Sequence, residues 1–435
     1  MRRIAMICVH SSPLATLGGK ETGGMNVYVR ELSRELAKQE IQVDIFTRSQ
    51  SENSPKILSW QKDVRIIYLK AGSEKPYHKD RVWFHLPEFF SALQQFCILN
   101  KVSYDLIHSH YWLSGWVGLK LAREHGIPLL HTFHTLACMK NSATGSLGLR
   151  EFPTRLRVER QLIERTDHLL LSSTREKEKI TSSHAVPPDK VTLLPCGVDT
   201  NVFRPLSTHQ LKHYIPIPDK KFILYVGRID PIKGIDILIK SMALVKANLH
   251  KNHTLQLLVI GGDLKNAAQS RHSQLNKLKR LTKSLQLDDT VTFLGAQPQD
   301  LLPHYYSAAE ACVLPSRYES FGMVALEAMA CGTPAIITTA AGISSFIQDG
   351  TTGFLVPEED ETALAETILR VVYLNSSKQH LSMTVRKRAM DFTWTSIANQ
   401  VHSLYNSLIH PSTREISRHH DNCDKTGNQF MSAGK

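Results

Sequence analysis

No stretch of the 435-residue sequence approaches the ~18 uninterrupted apolar residues that span a bilayer. The basic, then apolar opening MRRIAMICVHSSP has an apolar part only from Ile4 to Val9. That is short for a secretory signal and suits a buried strand, so a soluble cytoplasmic chain is expected. None of the seven cysteines stands at a C-x-x-C spacing, and most lie in apolar runs, which argues against a zinc or disulfide framework. Concentrated basic character is also missing. Residues 1–200 hold 27 Lys+Arg against 20 Asp+Glu, and 201–435 hold 25 against 20, so the net charge of +12 is spread out. Nucleic-acid binding usually leaves a concentrated basic footprint, so an anionic small ligand or an anionic membrane surface fits better. No repeat of 20–50 residues, no G-x-G-x-x-G and no D-x-D at a strand end is evident.

Short apolar runs do alternate with amphipathic segments, the pattern of a parallel sheet covered by helices on both faces. Strands are expected at Ile4–Val9, Val43–Phe46, Val64–Leu69, Asp105–His108, Pro128–His131 and Leu169–Ser172, with helices over Asn26–Gln39, Leu86–Leu99 and Leu113–His125. Across 199–220, with Pro205, Pro216 and Pro218, the pattern stalls as in a linker. It resumes with strands at Phe222–Val226, Leu255–Ile260, Val291–Leu294, Ala311–Leu314 and Ala335–Thr338 and helices over Asp236–Ala247 and Ser273–Leu285. Two doubly wound units are therefore expected, 1–200 and 218–391. A returning helix over about 392–410 follows, then a polar, disordered tail at 411–435. Ligands of such sheets bind at the carboxyl ends of the strands, so the cleft between the units is the expected site.

Three segments there carry chemistry. The loop His10–Met25 holds Gly18, Gly19, Gly23 and Gly24 and leads into a helix, which lets backbone N–H groups approach an anion; a plain flexible loop is the alternative. Arg228 and Lys233, five residues apart after the strand FILYV, can hold two phosphates of a diphosphate leaving group without a metal; solvated surface charge is the alternative. Glu319 and Glu327 bracket the expected start of a helix near Phe321, with Glu327 about two turns inside. Their carboxylates can accept from sugar hydroxyls, while N–H groups near Gly322 and Met323 face a phosphate.

In this order the segments resemble the family 4 retaining glycosyltransferases of GT-B architecture, over essentially residues 4–408. LLPCGVDTNVFRP, LLVIGGD, VTFLG and FIQDGTTGFLV add to the match. The resemblance implies two Rossmann-like domains facing a cleft, a nucleotide-sugar donor, no further cofactor and metal-independent transfer. It would place Arg228 and Lys233 on the donor diphosphate, Glu327 on the ribose, Glu319 on the donor sugar, and Gly24, Gly322 and Met323 beside the donor. His134 would lie beside the reacting sugar, and a buried structural histidine is its alternative; His108 and His110 read as loop-lining residues.

The acceptor side is similar to that of the mycothiol-pathway inositol 3-phosphate glycosyltransferases. Asn26, Tyr111, Thr135 and Arg155 match their phosphate-clasping positions, and Lys79, or else Lys75, supplies the lysine. Arg155 could equally pair with Glu151 or Glu159 on a helix. The expectation is transfer from UDP-glucose or UDP-N-acetylglucosamine to a small phosphorylated polyol or sugar such as inositol 3-phosphate. Sucrose-phosphate synthases, with fructose 6-phosphate as acceptor, are the alternative, although they usually carry Gln where this chain has Met25-Asn26. A lipid or glycan acceptor at a membrane is the other, prompted by Lys75, Lys79, Arg81, Trp83, Phe84, Phe89 and Phe90.

Overall fold

The computed structural model describes residues 2–16, 22–207, 220–250, 253–264, 273–374 and 377–410. Gly18, Gly19, most of the expected linker, Cys423 and the expected tail lie outside the described residues.

Strands of three to seven residues, most of them apolar, zip into two sheets. The first holds β1 (Arg3–Ile7), β2 (Gln42–Arg48), β3 (Ile57–Gln61), β4 (Val64–Leu69), β5 (Leu106–His110), β6 (Leu129–Thr132), β7 (His168–Leu171) and β8 (Val191–Leu193). Its strand order is β3-β4-β2-β1-β5-β6-β7-β8, parallel except for the edge pair β3/β4. The second sheet is built from β9 (Lys221–Val226), β10 (Leu255–Ile260), β11 (Val291–Gly295), β12 (Ala311–Leu314), β13 (Ala335–Thr338) and β14 (Phe354–Val356). Its order is β11-β10-β9-β12-β13-β14, all parallel. In each sheet the chain begins at the centre and winds outward both ways, so a crevice opens beside the first strand at its carboxyl end.

The central strands β1 and β9 are almost wholly apolar because helices cover both their faces. The edge strand β3, half exposed and mixed in character, has no such signature and is invisible to a search for apolar runs. Helices over Pro153–Arg165, Thr174–Ser183 and Lys378–Ala389 also escape that search, because each buries only a narrow stripe of a strongly charged segment.

Two crossings join the domains. Val198 N–H donates to the Phe392 carbonyl at 2.8 Å, and Val198 pairs with Thr393 as a parallel bridge. The Trp394–Ile409 helix then packs on the Gly24–Ala37 helix of the first domain. Trp394 is buried, and its ring lies edge-on to Tyr28 at 5.6 Å. Six cysteines are free thiols, five of them buried. Among the described residues no helix is long and apolar enough to cross a membrane.

The crossing leaves no room at Gly197, where an added Cβ would sit 2.6 Å from the Trp394 ring. Gly197→Ala should therefore lower unfolding stability by about 1–3 kcal/mol through overpacking. Urea denaturation checks this; an unchanged midpoint would show that Trp394 has space to move.

Candidate active site

The carboxyl ends of the two sheets face one another across a cleft of about 350 Å³. Thirteen residues that the resemblance placed at the site line it: Gly24, Asn26, Lys79, Tyr111, His134, Thr135, Arg155, Arg228, Lys233, Glu319, Gly322, Met323 and Glu327. Lys75 is not among the lining residues; its carbonyl accepts from Arg48 Nη2 at 2.7 Å.

The second-domain wall is built from backbone that only glycine allows. After β9 the chain passes Gly227 and Arg228, caps a short turn with the Asp230 side chain on Ile232 N–H (3.1 Å), and reaches Lys233 and Gly234. At Gly234 φ is +65°, and a Cβ would meet the Pro315 carbonyl oxygen at 1.9 Å. Lys233 is ion-paired with Glu319 Oε2. Gly322, at φ +111°, precedes the Met323–Ala330 helix. That start puts Glu327 little more than one turn inside, rather than two. Glu327 is buried, and its Oε2 accepts from Tyr306 O–H at 2.8 Å. Burial raises its pKa to about 7, opposed by Tyr306 and by the charge of Arg30. Tyr306 was not foreseen: it reaches Glu327 from a different helix, 21 residues earlier, with no local motif.

On the facing wall, the chain leaves β5 and β6 through Tyr111 (φ +74°) and His134 (φ +59°). Left-handed backbone at two non-glycine residues is strain of the kind that collects at functional sites. His134 Nε2 shares a hydrogen bond with His110 Nδ1 at 3.0 Å, and the Tyr28 ring lies edge-on at 5.2 Å. Burial lowers the His134 pKa to about 3, so the ring is neutral near pH 7. His108 and His110 are not loop residues; they lie within β5 and are fully buried. His108 bonds Tyr405 of the returning helix at 2.8 Å and Thr132 at 3.0 Å.

Arg155 lies at the base of this wall. Its Nε donates to Glu159 at 2.6 Å, Nη1 to Glu151 at 2.8 Å and to Tyr111 O–H at 3.1 Å, and Nη2 to the Thr135 carbonyl at 2.7 Å and Oγ1 at 2.9 Å. A guanidinium has five N–H groups, and all five are engaged. Both ion pairs weighed for Arg155 in the sequence form, and so do the contacts to Tyr111 and Thr135. Each of those hydroxyls accepts from Arg155, and both residues line the cleft. Asn26 is buried differently. Its Nδ2 donates to Ser11 Oγ and the Ser12 carbonyl, both at 2.7 Å, and its Oδ1 accepts from Gly23 N–H at 2.9 Å. It closes the start of its own helix and shapes the loop.

The aromatic stretch that prompted a membrane acceptor is largely consumed by the core. Phe89 and Phe90 are buried, and Trp83 stacks on Trp112 at 5.3 Å; Phe84, 69% exposed, is the exception. Tyr318, another cleft residue not foreseen, spans the domains by accepting from Leu136 N–H at 3.2 Å.

Residues 22–202 match the family model described as Glycosyltransferase Family 4, and residues 210–388 that described as Glycosyl transferases group 1. The chain is 34% identical to the D-inositol 3-phosphate glycosyltransferase of Acidothermus cellulolyticus, over 94% of this chain and 91% of that one. Identity to the Corynebacterium glutamicum enzyme of the same name is 32%, over 96% and 100%. Among solved structures, a sucrose-phosphate synthase from Thermosynechococcus elongatus superposes with a TM-score of 0.85 at 35% identity, over 95% of this chain and all of that one. An Anabaena protein crystallised with UDP-glucose shares the fold at a TM-score of 0.72 and 18% identity, over 94% and 100%.

The raised pKa of Glu327 makes a signed prediction. Below about pH 4.5 the carboxyl is protonated whether the chain is folded or unfolded; between there and about pH 7 only the unfolded chain ionises. The contribution of Glu327 to ligand-free stability is thus greatest at low pH and falls across this window, by on the order of 3 kcal/mol. Glu327→Gln should be more stable than wild type at pH 8, and the difference should vanish by pH 4.5. Melting temperatures of both proteins across pH test this, and parallel curves would refute it.

Proposed function

The chain belongs to the family 4, group 1 glycosyltransferases of GT-B fold, and from that membership we propose that it moves a hexose from a UDP-sugar to a hydroxyl of a small phosphorylated polyol or sugar, inositol 3-phosphate being the favoured acceptor. In this reading residues 1–200 with the helix at 392–410 hold the acceptor, and 218–391 hold the donor. UDP-glucose and UDP-N-acetylglucosamine are the candidate donors.

The observation that carries the acceptor is the pair of oriented hydroxyls, Tyr111 and Thr135, backed by Arg155 and joined in the cleft by Lys79 and Lys140. Hydroxyl donors combined with cations suit a phosphate. Arg155 polarises and positions the two hydroxyls, and Asn26 holds the loop beside them.

Opposite, Arg228 and Lys233 receive the diphosphate, and the N–H groups after Gly322 add donors at a helix start. Glu327, with one oxygen held by Tyr306, turns the other to the ribose. Glu319, once Lys233 moves to the diphosphate, is released to the sugar hydroxyls. The sugar C1–O bond to the diphosphate breaks and the acceptor O–C1 bond forms on the same face. The acceptor proton passes to the departing diphosphate oxygen. Neutral His134 serves this as a hydrogen-bonding wall beside the sugar rather than as an acid. Rate then derives from positioning and from stabilising the leaving charge, with the two cations doing so without a metal.

A second reading, transfer to fructose 6-phosphate, is favoured by the 35% identity and TM-score of 0.85 to a sucrose-phosphate synthase. A matrix of UDP-, GDP- and ADP-sugars against inositol 3-phosphate, fructose 6-phosphate and their free polyols separates the two. Preference for unphosphorylated or lipid-linked acceptors would overturn both.

Arg228→Ala and Lys233→Ala should each lose about a hundredfold in rate, roughly 3 kcal/mol of transition-state stabilisation, while EDTA leaves wild-type turnover unchanged. Near-normal turnover in both variants would remove the diphosphate assignment. Thr135→Val and Tyr111→Phe should each raise the acceptor KM about two- to twelvefold, at about 0.5–1.5 kcal/mol per neutral hydrogen bond, and leave the donor KM unaltered. Equal changes in both constants would place these hydroxyls elsewhere in the cycle.

A further inference from the structure

The acceptor wall already holds an anion of its own. Glu151 follows the turn at Gly148 (φ +69°) and directs its carboxylate back between Lys140 Nζ and Arg155 Nη1, the latter at 2.8 Å. The side chain is 9% exposed. Desolvation raises its pKa, but Arg155 and Lys140 outweigh this and hold it at about 2, so it is ionised at any physiological pH. Of the two carboxylates on Arg155, Glu159 belongs to the frame: it lies on the same helix and also accepts from Ala137 N–H at 2.9 Å. Glu151 lies just ahead of that helix and is tethered by its backbone N–H to Asn141 Oδ1 at 2.7 Å. The preceding residues Leu147 and Leu149 are exposed.

We propose that Glu151 is a built-in stand-in for the acceptor phosphate, occupying Lys140 and Arg155 in the empty enzyme and yielding them when a phosphorylated acceptor binds. This rests on the phosphorylated-acceptor reading above. The charge balance favours the exchange. Lys140 and Arg155 face Glu151 and Glu159, so these four charges balance in the resting wall. Turning Glu151 outward leaves one positive charge in excess, which a phosphate oxyanion can meet with hydrogen bonds to both cations. A neutral polyol has nothing to offer the two cations in return and cannot displace the carboxylate. Glu151 thereby sets selectivity: it partners the Lys140 ammonium and the Nη1 edge of a guanidinium otherwise paired with Glu159 alone, and it penalises acceptors without the charge to replace it.

Glu151→Gln keeps the shape and removes the charge. In the full-length protein it should lower the KM for the phosphorylated acceptor about tenfold, roughly 1.4 kcal/mol, with the change falling on KM rather than kcat. Inorganic phosphate, used alone as a probe, should raise the melting temperature of Glu151→Gln at concentrations about tenfold lower than it needs with wild type. Asn141→Ala cuts the tether without altering charge; it should shift both readouts the same way by a smaller factor, and it serves if Glu151→Gln folds poorly. An unchanged or raised KM together with unstrengthened phosphate binding would overturn the proposal and leave Glu151 as part of the frame. The phosphate measurement needs no acceptor, so it still decides the role of Glu151 if the wild type turns over only unphosphorylated acceptors; in that case the acceptor reading alone fails.

Discussion

A single buried guanidinium organises the first-domain side of the cleft. Arg155 projects from the helix at Pro153–Arg165 under the ends of β5 and β6, and its five N–H groups reach Tyr111, Thr135, Glu151 and Glu159. An isolated charge at that depth is prohibitively costly, so the two carboxylates are a condition of its being there. Once paired, it fixes the positions of groups from three stretches of chain: Tyr111, Thr135 and 151–159. The strained backbone at Tyr111 and His134 is tolerated within the same frame, with the histidine held from behind by His110.

The second-domain wall uses another device. There two backbone segments approach one another at the edge of the cleft, which requires a residue without a Cβ: Gly261 at φ +135° would place one 1.8 Å from the Gly227 carbonyl oxygen. Few side chains are needed beyond Arg228, Lys233, Glu319 and Glu327, and two of these neutralise one another in the empty site. Both walls thus rest with their charges internally paired: Lys233 with Glu319 on one side, and Lys140 and Arg155 with Glu151 on the other. In the proposed cycle, ligands that carry phosphate would exchange one anion for another instead of entering an open cationic pocket, which would favour charged substrates over neutral ones at both ends.

Contacts between the domains hold the two walls in mutual register. Buried Glu176 accepts from Ser320 at 3.1 Å across the cleft, and Arg175 pairs with Glu358 at 2.7 Å. Behind them lie the crossing of Val198 with Thr393 and the packing of Trp394 on Tyr28. Tyr28 also touches His134 with its ring edge, so the returning segment and the cleft share one aromatic contact chain.

Period and punctuation alone determined the two doubly wound sheets. A parallel strand buried on both faces must be a short apolar run, and such runs need no partner to be recognised, as β1, β4, β9, β10, β12 and β13 illustrate. Residues at the ends of those runs, Arg228, Lys233, Glu319 and Glu327 among them, were equally legible, because local spacing after a strand or at a helix start places them. Contacts between distant segments were not. Tyr306 on Glu327 and Tyr318 on Leu136 are pairings over long stretches of chain, and no local pattern encodes them. Nor could spacing tell whether Arg155 would face a ligand or its own helix. The Glu151 and Glu159 partners at i−4 and i+4 were visible, but only the packing of β5 and β6 above that helix brings Tyr111 and Thr135 to the same guanidinium. Asn26 likewise reads as a polar residue at a ligand loop, while burial turns its amide inward, because a buried amide must satisfy its own donors first.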